Sequence, residues 1–272
     1  MGHHNIHYYG DPHALYGRWS PPDSKANFCE EDYAVSFYLA EFINSLTNLA
    51  YIYYALRYMY GRGSRGLFAP KVDFMAVSLL LLGIGSFVFH ASLRQTMQFA
   101  DELAMLGLTW SLLLGSLNLQ SQSSTRDRLI KGGLAVVFPL FAAFYLWTGN
   151  ILYHTIAFGT VLGLVVLRGY YVFYRRVPAF PEHKLASWRP RGRLAFLYLI
   201  VAFALWNIDL ELCPPLRMMR AAIGLPWAWL LELHGWWHVL TAMSADMAMA
   251  LVREVREELA NSKAERNEKK RE

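Results

Sequence analysis

Long stretches of this chain carry no formal charge. No Asp, Glu, Lys or Arg occurs between Asp73 and Arg94, between Glu102 and Arg126, or between Lys131 and Arg168. A helix needs about 20 mostly apolar residues to cross the hydrocarbon core of a bilayer, so each of the first two gaps fits one crossing. The third gap runs for 36 residues and holds two, hinged at Thr148-Gly149-Asn150. Spans are predicted at 36–58, 72–92, 99–120, 130–148, 151–173, 193–210 and 228–250. The fold class that follows is an all-α membrane protein with seven transmembrane helices. Spans one and six have short uncharged cores of 15 residues, and span seven carries Glu232, His234, His238 and Asp246.

Composition supports the membrane reading. Apolar residues make up 55% and charged residues 17%, against about 25% charged in soluble domains. Aromatics reach 15%, with nine Trp and 16 Tyr, types that gather at membrane interfaces. Charge then supplies an orientation. Lys and Arg collect after spans one, three and five and in the C-terminal tail, twenty residues in all, against five on the other side. Cytoplasmic loops carry the basic excess, so the N-terminus is expected to be lumenal or extracellular and the C-terminus cytosolic. The net charge of +5 therefore reads as topology, and no nucleic-acid partner is expected. The first 30 residues lack the apolar core of a signal peptide, so the first span is expected to act as its own insertion signal. Lys269 and Lys270, four and three places from the end counted inclusively, resemble a dilysine signal for retrieval to the endoplasmic reticulum. The expected organisation is a lumenal segment 1–34, a transmembrane catalytic domain 35–252 and a charged cytosolic tail 253–272.

Ionisable side chains inside a membrane are costly and mark function. Here they cluster. Ser86 and His90 lie four apart on span two, His234 and His238 lie four apart on span seven, and Asp101 and Glu102 open span three. The i, i+4 spacing puts each pair on one helical face. The loop-charge topology brings all of them to the lumenal end of the bundle. Three imidazoles with a fourth position left for water form the ligand set of a catalytic zinc site, and zinc lowers the pKa of its water to about 7. Asp101 is then expected to orient ligands or move a proton, and Ser86 to donate to a developing oxyanion. Haem held by two histidines would leave the third histidine, the serine and the carboxylate surplus. His3, His4, His7, His13, His154 and His183 carry less information.

A second acidic cluster precedes span one, at Asn27-Phe28-Cys29-Glu30-Glu31-Asp32, with Glu41 about two turns into the helix. Oxygen ligands at alternate positions fit a hard cation such as calcium; an acidic helix N-terminus is the commoner origin of such a run. Cys29 and Cys213 are the two cysteines of the chain. Both are expected on the oxidising side, which makes them a disulfide candidate. The alternative of two unrelated small apolar residues stays open at this level.

The blocks Asn27 to Tyr33, Ala40 to Asn44 with Thr47-Asn48, Gly85 to His90, Asp101 to Leu103, Trp206 to Asp209 with Cys213, and His234 to His238 together resemble the alkaline ceramidases. That family is related to the adiponectin and progestin receptors. The resemblance implies an intramembrane hydrolase that cleaves the amide of ceramides into sphingoid base and fatty acid. It implies zinc on His90, His234 and His238, with Ser86 and Asp101 assisting. It also implies calcium held by Asn27, Phe28, Glu30, Asp32 and Glu41, with Phe28 lending only its backbone carbonyl, and a Cys29–Cys213 disulfide. Two positions depart from the family pattern, Asn27 for the usual Asp and Phe28 for the usual Trp. The other reading is a receptor of the adiponectin or progestin type with a structural or weakly hydrolytic zinc, although those chains begin in the cytosol.

Overall fold

The computed structural model describes residues 11–61, 63–117 and 124–268. The predicted signals at Lys269 and Lys270, the basic loop residue Arg62, and His3, His4 and His7 lie outside the described residues. Nine α-helices are described: α1 Phe42–Thr47, α2 Leu49–Met59, α3 Phe74–Ser92, α4 Gln95–Leu117, α5 Ser124–Thr148, α6 Ile151–Tyr170, α7 Glu182–Glu211, α8 Cys213–Ile223 and α9 Leu233–Glu268. A π-turn at Tyr171–Arg175 extends α6, and a 3₁₀ turn at Trp227–Leu231 leads into α9. No strand occurs among the described residues.

Local chemistry accounts for several boundaries. Asp73 starts α3 because its side chain accepts from the Ala76 amide at 2.8 Å, a cap that stabilises by about 1 kcal/mol. Leu93 ends the helix in the left-handed region at φ 49°. The predicted hinge is the break between α5 and α6. Gly149 takes φ 57°, which costs a glycine little, and Asn150 accepts from the Leu152 amide to cap α6.

Among the described residues, four helical segments are long and apolar enough to cross a membrane: Phe74–Ser92, Arg128–Thr148, Ile151–Arg175 and Glu182–Glu211. The other three predicted spans are also helical but are broken or polar. Span one forms as two short helices that meet at Asn48, which keeps right-handed helical angles of −65° and −17°. Span three is α4, with Asp101 and Glu102 in its first two turns. Span seven begins at Leu233 instead of 228, because the 3₁₀ turn and Glu232 precede it. Its helix continues to Glu268, so the boundary expected at 252 falls inside a helix.

The chain divides into two compact units. The first comprises residues 1–105 and 197–244, the second 106–196 and 245–272. In the first, α1 and α2 run against α3. A Cβ on Gly83 would lie 3.0 Å from the backbone nitrogen of Ile52, so only glycine allows this approach. The segment before α1 folds back on the bundle, where Ala26, Phe28, Tyr33 and Ala40 pack with Phe89, Leu93 and Leu210.

In the second unit Leu106, Leu113 and Val161 form one buried cluster. Val172, Phe180, Leu185, Trp188, Leu251 and Val255 form another. Around the latter, Trp188 Nε1 donates to Glu254 at 2.8 Å, and Arg191 forks onto both Glu254 oxygens at 2.8 and 2.7 Å. The Arg191 guanidinium holds the Glu254 carboxyl below its usual value.

Candidate metal centre

All the candidate zinc ligands lie in the first unit. Ser86 and His90 lie one turn apart on α3, both buried. His234 and His238 lie one turn apart at the start of α9, also buried. Ring centroids are 5.0 Å apart for His90 and His234, 4.8 Å for His90 and His238, and 4.5 Å for His234 and His238. Their ligand nitrogens fall within 4.8 Å of one another, and among the described residues this is the group of acidic, thiol or imidazole side chains close enough to share an ion.

Neighbouring groups set the tautomers of two of the three rings. The fully buried Glu41 carboxylate lies with Oε2 2.5 Å from His90 Nδ1. With Glu41 ionised it only accepts, so Nδ1 carries the proton and Nε2 keeps a lone pair. Thr47 Oγ1 lies 3.0 Å from His238 Nδ1. Its single proton goes to the carbonyl of Ile43 or Asn44, at 2.9 and 3.0 Å. With the hydroxyl proton on either carbonyl, His238 Nδ1 is the donor to Thr47 and Nε2 is again left as the ligand atom. A carboxylate or hydroxyl behind a metal-binding histidine is the usual arrangement for holding ring and tautomer in place. The donor set of three buried imidazoles fits zinc.

Several of these supports were not foreseen. Glu41 belongs to the expected calcium set, and the structure also places it against His90. Phe28 was given only a backbone role, yet its ring stacks on His234 with centroids 3.5 Å apart and planes at 19°. Asp209, fully buried, accepts from the backbone amides of Cys29 at 3.1 Å and His234 at 3.3 Å. It thereby ties the N-terminal segment to the first turn of α9. Thr47 and Asp209 both fall in the blocks that carry the family resemblance; that was the one signal for them.

Asp101, on α4, accepts a hydrogen bond from Ser86. Its Oδ1 is buried with no hydrogen-bond partner among the described residues. Near it stands Tyr51, whose hydroxyl lies 2.5 Å from Thr241 Oγ1 and whose ring is 6.2 Å from His238.

The expected calcium residues are buried but more dispersed. Asn27 Oδ1 accepts from the Phe28 amide at 2.8 Å. Both Glu30 oxygens accept from the backbone of α1, at Ile43 (2.6 Å) and Asn44 (2.8 Å). Glu41 Oε1 accepts from the Phe28 amide at 3.1 Å. Asp32 Oδ1 has no hydrogen-bond partner among the described residues. Burial, with Glu41 and Asp11 nearby, pushes the Asp32 carboxyl up to about 8. Glu30, Asp32 and Glu41 do not close on one another as the three histidines do.

Cys29 and Cys213 are joined in the structure, with Cα atoms 5.3 Å apart. The Cys29 carbonyl accepts from Arg217 at 3.0 Å and Arg220 at 2.7 Å. Arg220 is itself paired with buried Glu232.

Apolar helices long enough for a membrane, with a buried three-histidine cluster held by α3 and α9, define the class of a helical membrane protein with a candidate metal site. Comparison with known proteins agrees: the Ceramidase family model matches residues 20–271, and the chain belongs to that family. Alkaline ceramidase YPC1 of Saccharomyces cerevisiae is 30% identical over 249 residues, covering 84% of this chain and 75% of the yeast protein. Alkaline ceramidase 3 of the mouse is 27% identical over 231 residues, covering 84% of this chain and 82% of its own length.

Proposed function

We propose that this protein is a zinc-dependent intramembrane amidohydrolase that cleaves ceramide-type lipids into a sphingoid base and a fatty acid. The observation that carries the reading is the buried His90–His234–His238 cluster, in which two rings engage Glu41 and Thr47 through Nδ1 and keep Nε2 as the ligand atom. Membership of the Ceramidase family supports the substrate. Zinc bound there supplies a polarised water and a Lewis acid for the amide carbonyl.

The chain's own residues do the remainder. Glu41 and Thr47 hold His90 and His238 against rotation. Asp101 is the base and acid: its Oδ1, without a hydrogen-bond partner among the described residues, takes a proton from the attacking water and passes it to the leaving amine. Ser86, which donates to Asp101, is free to turn to the substrate oxygen once Asp101 holds that proton. The amide of a two-tailed lipid lies close to the membrane interface, where a metal at one end of the bundle meets it.

The reading extends to seven crossings with a lumenal N-terminus, a cytosolic tail and residence in the endoplasmic reticulum membrane, supported by loop charge and by the helices in all seven predicted regions. It also includes calcium on the Asn27, Phe28, Glu30, Asp32 and Glu41 set, supported by the buried and unpartnered Asp32 oxygen. Elemental analysis of purified protein and hydrolysis of a labelled ceramide test the proposal together. His238→Ala is expected to lose both zinc and hydrolysis, and Asp101→Asn to lose hydrolysis while keeping zinc. Wild-type protein without zinc overturns the reading, and zinc without ceramide hydrolysis returns the receptor alternative.

A further inference from the structure

Asn44, Thr47, Asn48 and Tyr51 follow the i, i+3, i+4, i+7 spacing of one helical stripe, and Asn48 itself keeps right-handed helical angles. Three of the four touch His238. The Asn44 backbone carbonyl lies beside its ring, the Thr47 hydroxyl lies 3.0 Å from its Nδ1, and the Tyr51 ring lies 6.2 Å from its ring. The fourth, Asn48, is fully buried. Its Nδ2 donates to the Asn44 carbonyl at 2.8 Å. That carbonyl only accepts, so the amide cannot be turned round and Oδ1 must point elsewhere. Oδ1 has no hydrogen-bond partner among the described residues.

Register fixes its level. The Glu41 amide donates to the His90 carbonyl, and Tyr51 and Ile52 lie against Gly83. The two segments therefore run antiparallel, and Asn48, between those points, comes level with Ser86. Donors nearby are committed: Ser86 to Asp101, Thr47 to a backbone carbonyl, and His238 Nδ1 to Thr47. A buried carbonyl oxygen without a donor is destabilising and persists where a ligand completes it. Acyl chains carry no donor. The amine side of a ceramide carries hydroxyls.

We infer that Asn48 is a substrate-positioning and specificity-determining residue, whose Oδ1 accepts a hydrogen bond from a sphingoid hydroxyl of the bound lipid. The inference rests on the ceramidase reading above. A hydroxyl held one helical stripe from His238 fixes the amide relative to the metal ligands and to Ser86. It also makes the enzyme discriminate against lipids that lack that hydroxyl, because the oxygen is then left unpaired.

The test compares kcat/KM for ceramide, 1-deoxyceramide and 3-ketoceramide, using the full chain in detergent or proteoliposomes. Wild type is expected to favour ceramide over one analogue by roughly tenfold or more, and that analogue names the hydroxyl. In Asn48→Ala the preference is expected to collapse: the ceramide rate falls while the rate on that analogue holds. Asn48→Asp keeps an acceptor oxygen and is expected to keep the preference, which a merely structural role for the Asn44 bond would not produce. Should Asn48→Ala fail to fold, Asn48→Gln, which moves the oxygen by one methylene, is expected to show the same collapse. Wild type that turns over all three lipids equally, or variants that lose all three rates in parallel, overturns the inference alone. Absence of ceramide hydrolysis in wild type overturns the ceramidase reading and this inference with it.

Discussion

Glu41 Oε2 stands 2.5 Å from His90 Nδ1, across 49 positions of sequence, and both side chains are buried. The carboxylate also accepts from the Asn44 side chain at 3.1 Å and the Phe28 amide at 3.1 Å. One side chain thus joins the N-terminal segment to the candidate metal centre. Glu41→Gln keeps the shape but offers the ring an amide in place of a charged acceptor. Zinc affinity is expected to fall roughly 10- to 100-fold, the usual effect of losing such a partner. Competition with a chromophoric chelator measures it, and unchanged zinc retention would remove Glu41 from the metal's support.

Thr47 has the same task behind His238 with a neutral hydroxyl, so its loss is expected to matter less. Removing one neutral hydrogen bond costs about 1 kcal/mol. Thr47→Val should therefore weaken zinc binding by about fivefold, and Thr47→Ser, which restores the hydroxyl, should recover it. A valine variant as tight as wild type, or a serine variant as weak as valine, would contradict the role.

These supports show where the sequence was legible and where it was not. His90, His234 and His238 could be found because an i, i+4 spacing and an uncharged background are local signals. The hinge at Thr148-Gly149-Asn150 is local as well. Thr47 meets His238 across 191 positions, and no periodicity reports a contact of that kind. The alternating carboxylates point to a cation at Glu30, and they do not show that both its oxygens also accept from the amides of Ile43 and Asn44. Backbone partners leave no trace in a residue pattern. Phe28 departs from the family tryptophan, and the ring stack on His234 gives that side chain a role its backbone carbonyl alone would not require. Span seven was expected to start at 228. Leu225-Pro226 and the turn after it delay the helix to Leu233, an offset that hydropathy does not register.

Gly83 marks a close approach of α2 to α3. A Cβ there would lie 2.8 Å from Ile52 Cγ1 and 3.0 Å from both the Ile52 nitrogen and Tyr51 Cβ. Alanine would gain about 1 kcal/mol of helix propensity. The clash involves backbone that cannot step aside, and overpacking of this kind costs about 1–3 kcal/mol. Gly83→Ala is therefore expected to lower the Tm in detergent. At Gly132, where nothing lies within 4 Å, the same substitution should leave the Tm equal or higher. Equal behaviour at the two positions would show that the packing of α2 on α3 is looser than described.

Glu254 ties α9 to α7 in the second unit through Arg191 and Trp188. Arg191 holds its carboxyl below the ordinary value, with Trp188 adding to the effect. A carboxylate with a depressed folded pKa stabilises fully above its unfolded value, about 4.3. That contribution disappears as the pH falls through the lower folded value. The Glu254 side chain is 39% exposed, so solvent screening keeps the charge term small; the indole bond adds to it. Melts of wild type and Glu254→Gln between about pH 7.5 and pH 3 should show wild type more stable near neutrality. The gap should hold down to about pH 5 and close below it as both forms present an uncharged side chain to Arg191. A gap that widens on acidification would mean that the carboxylate is not the species Arg191 holds.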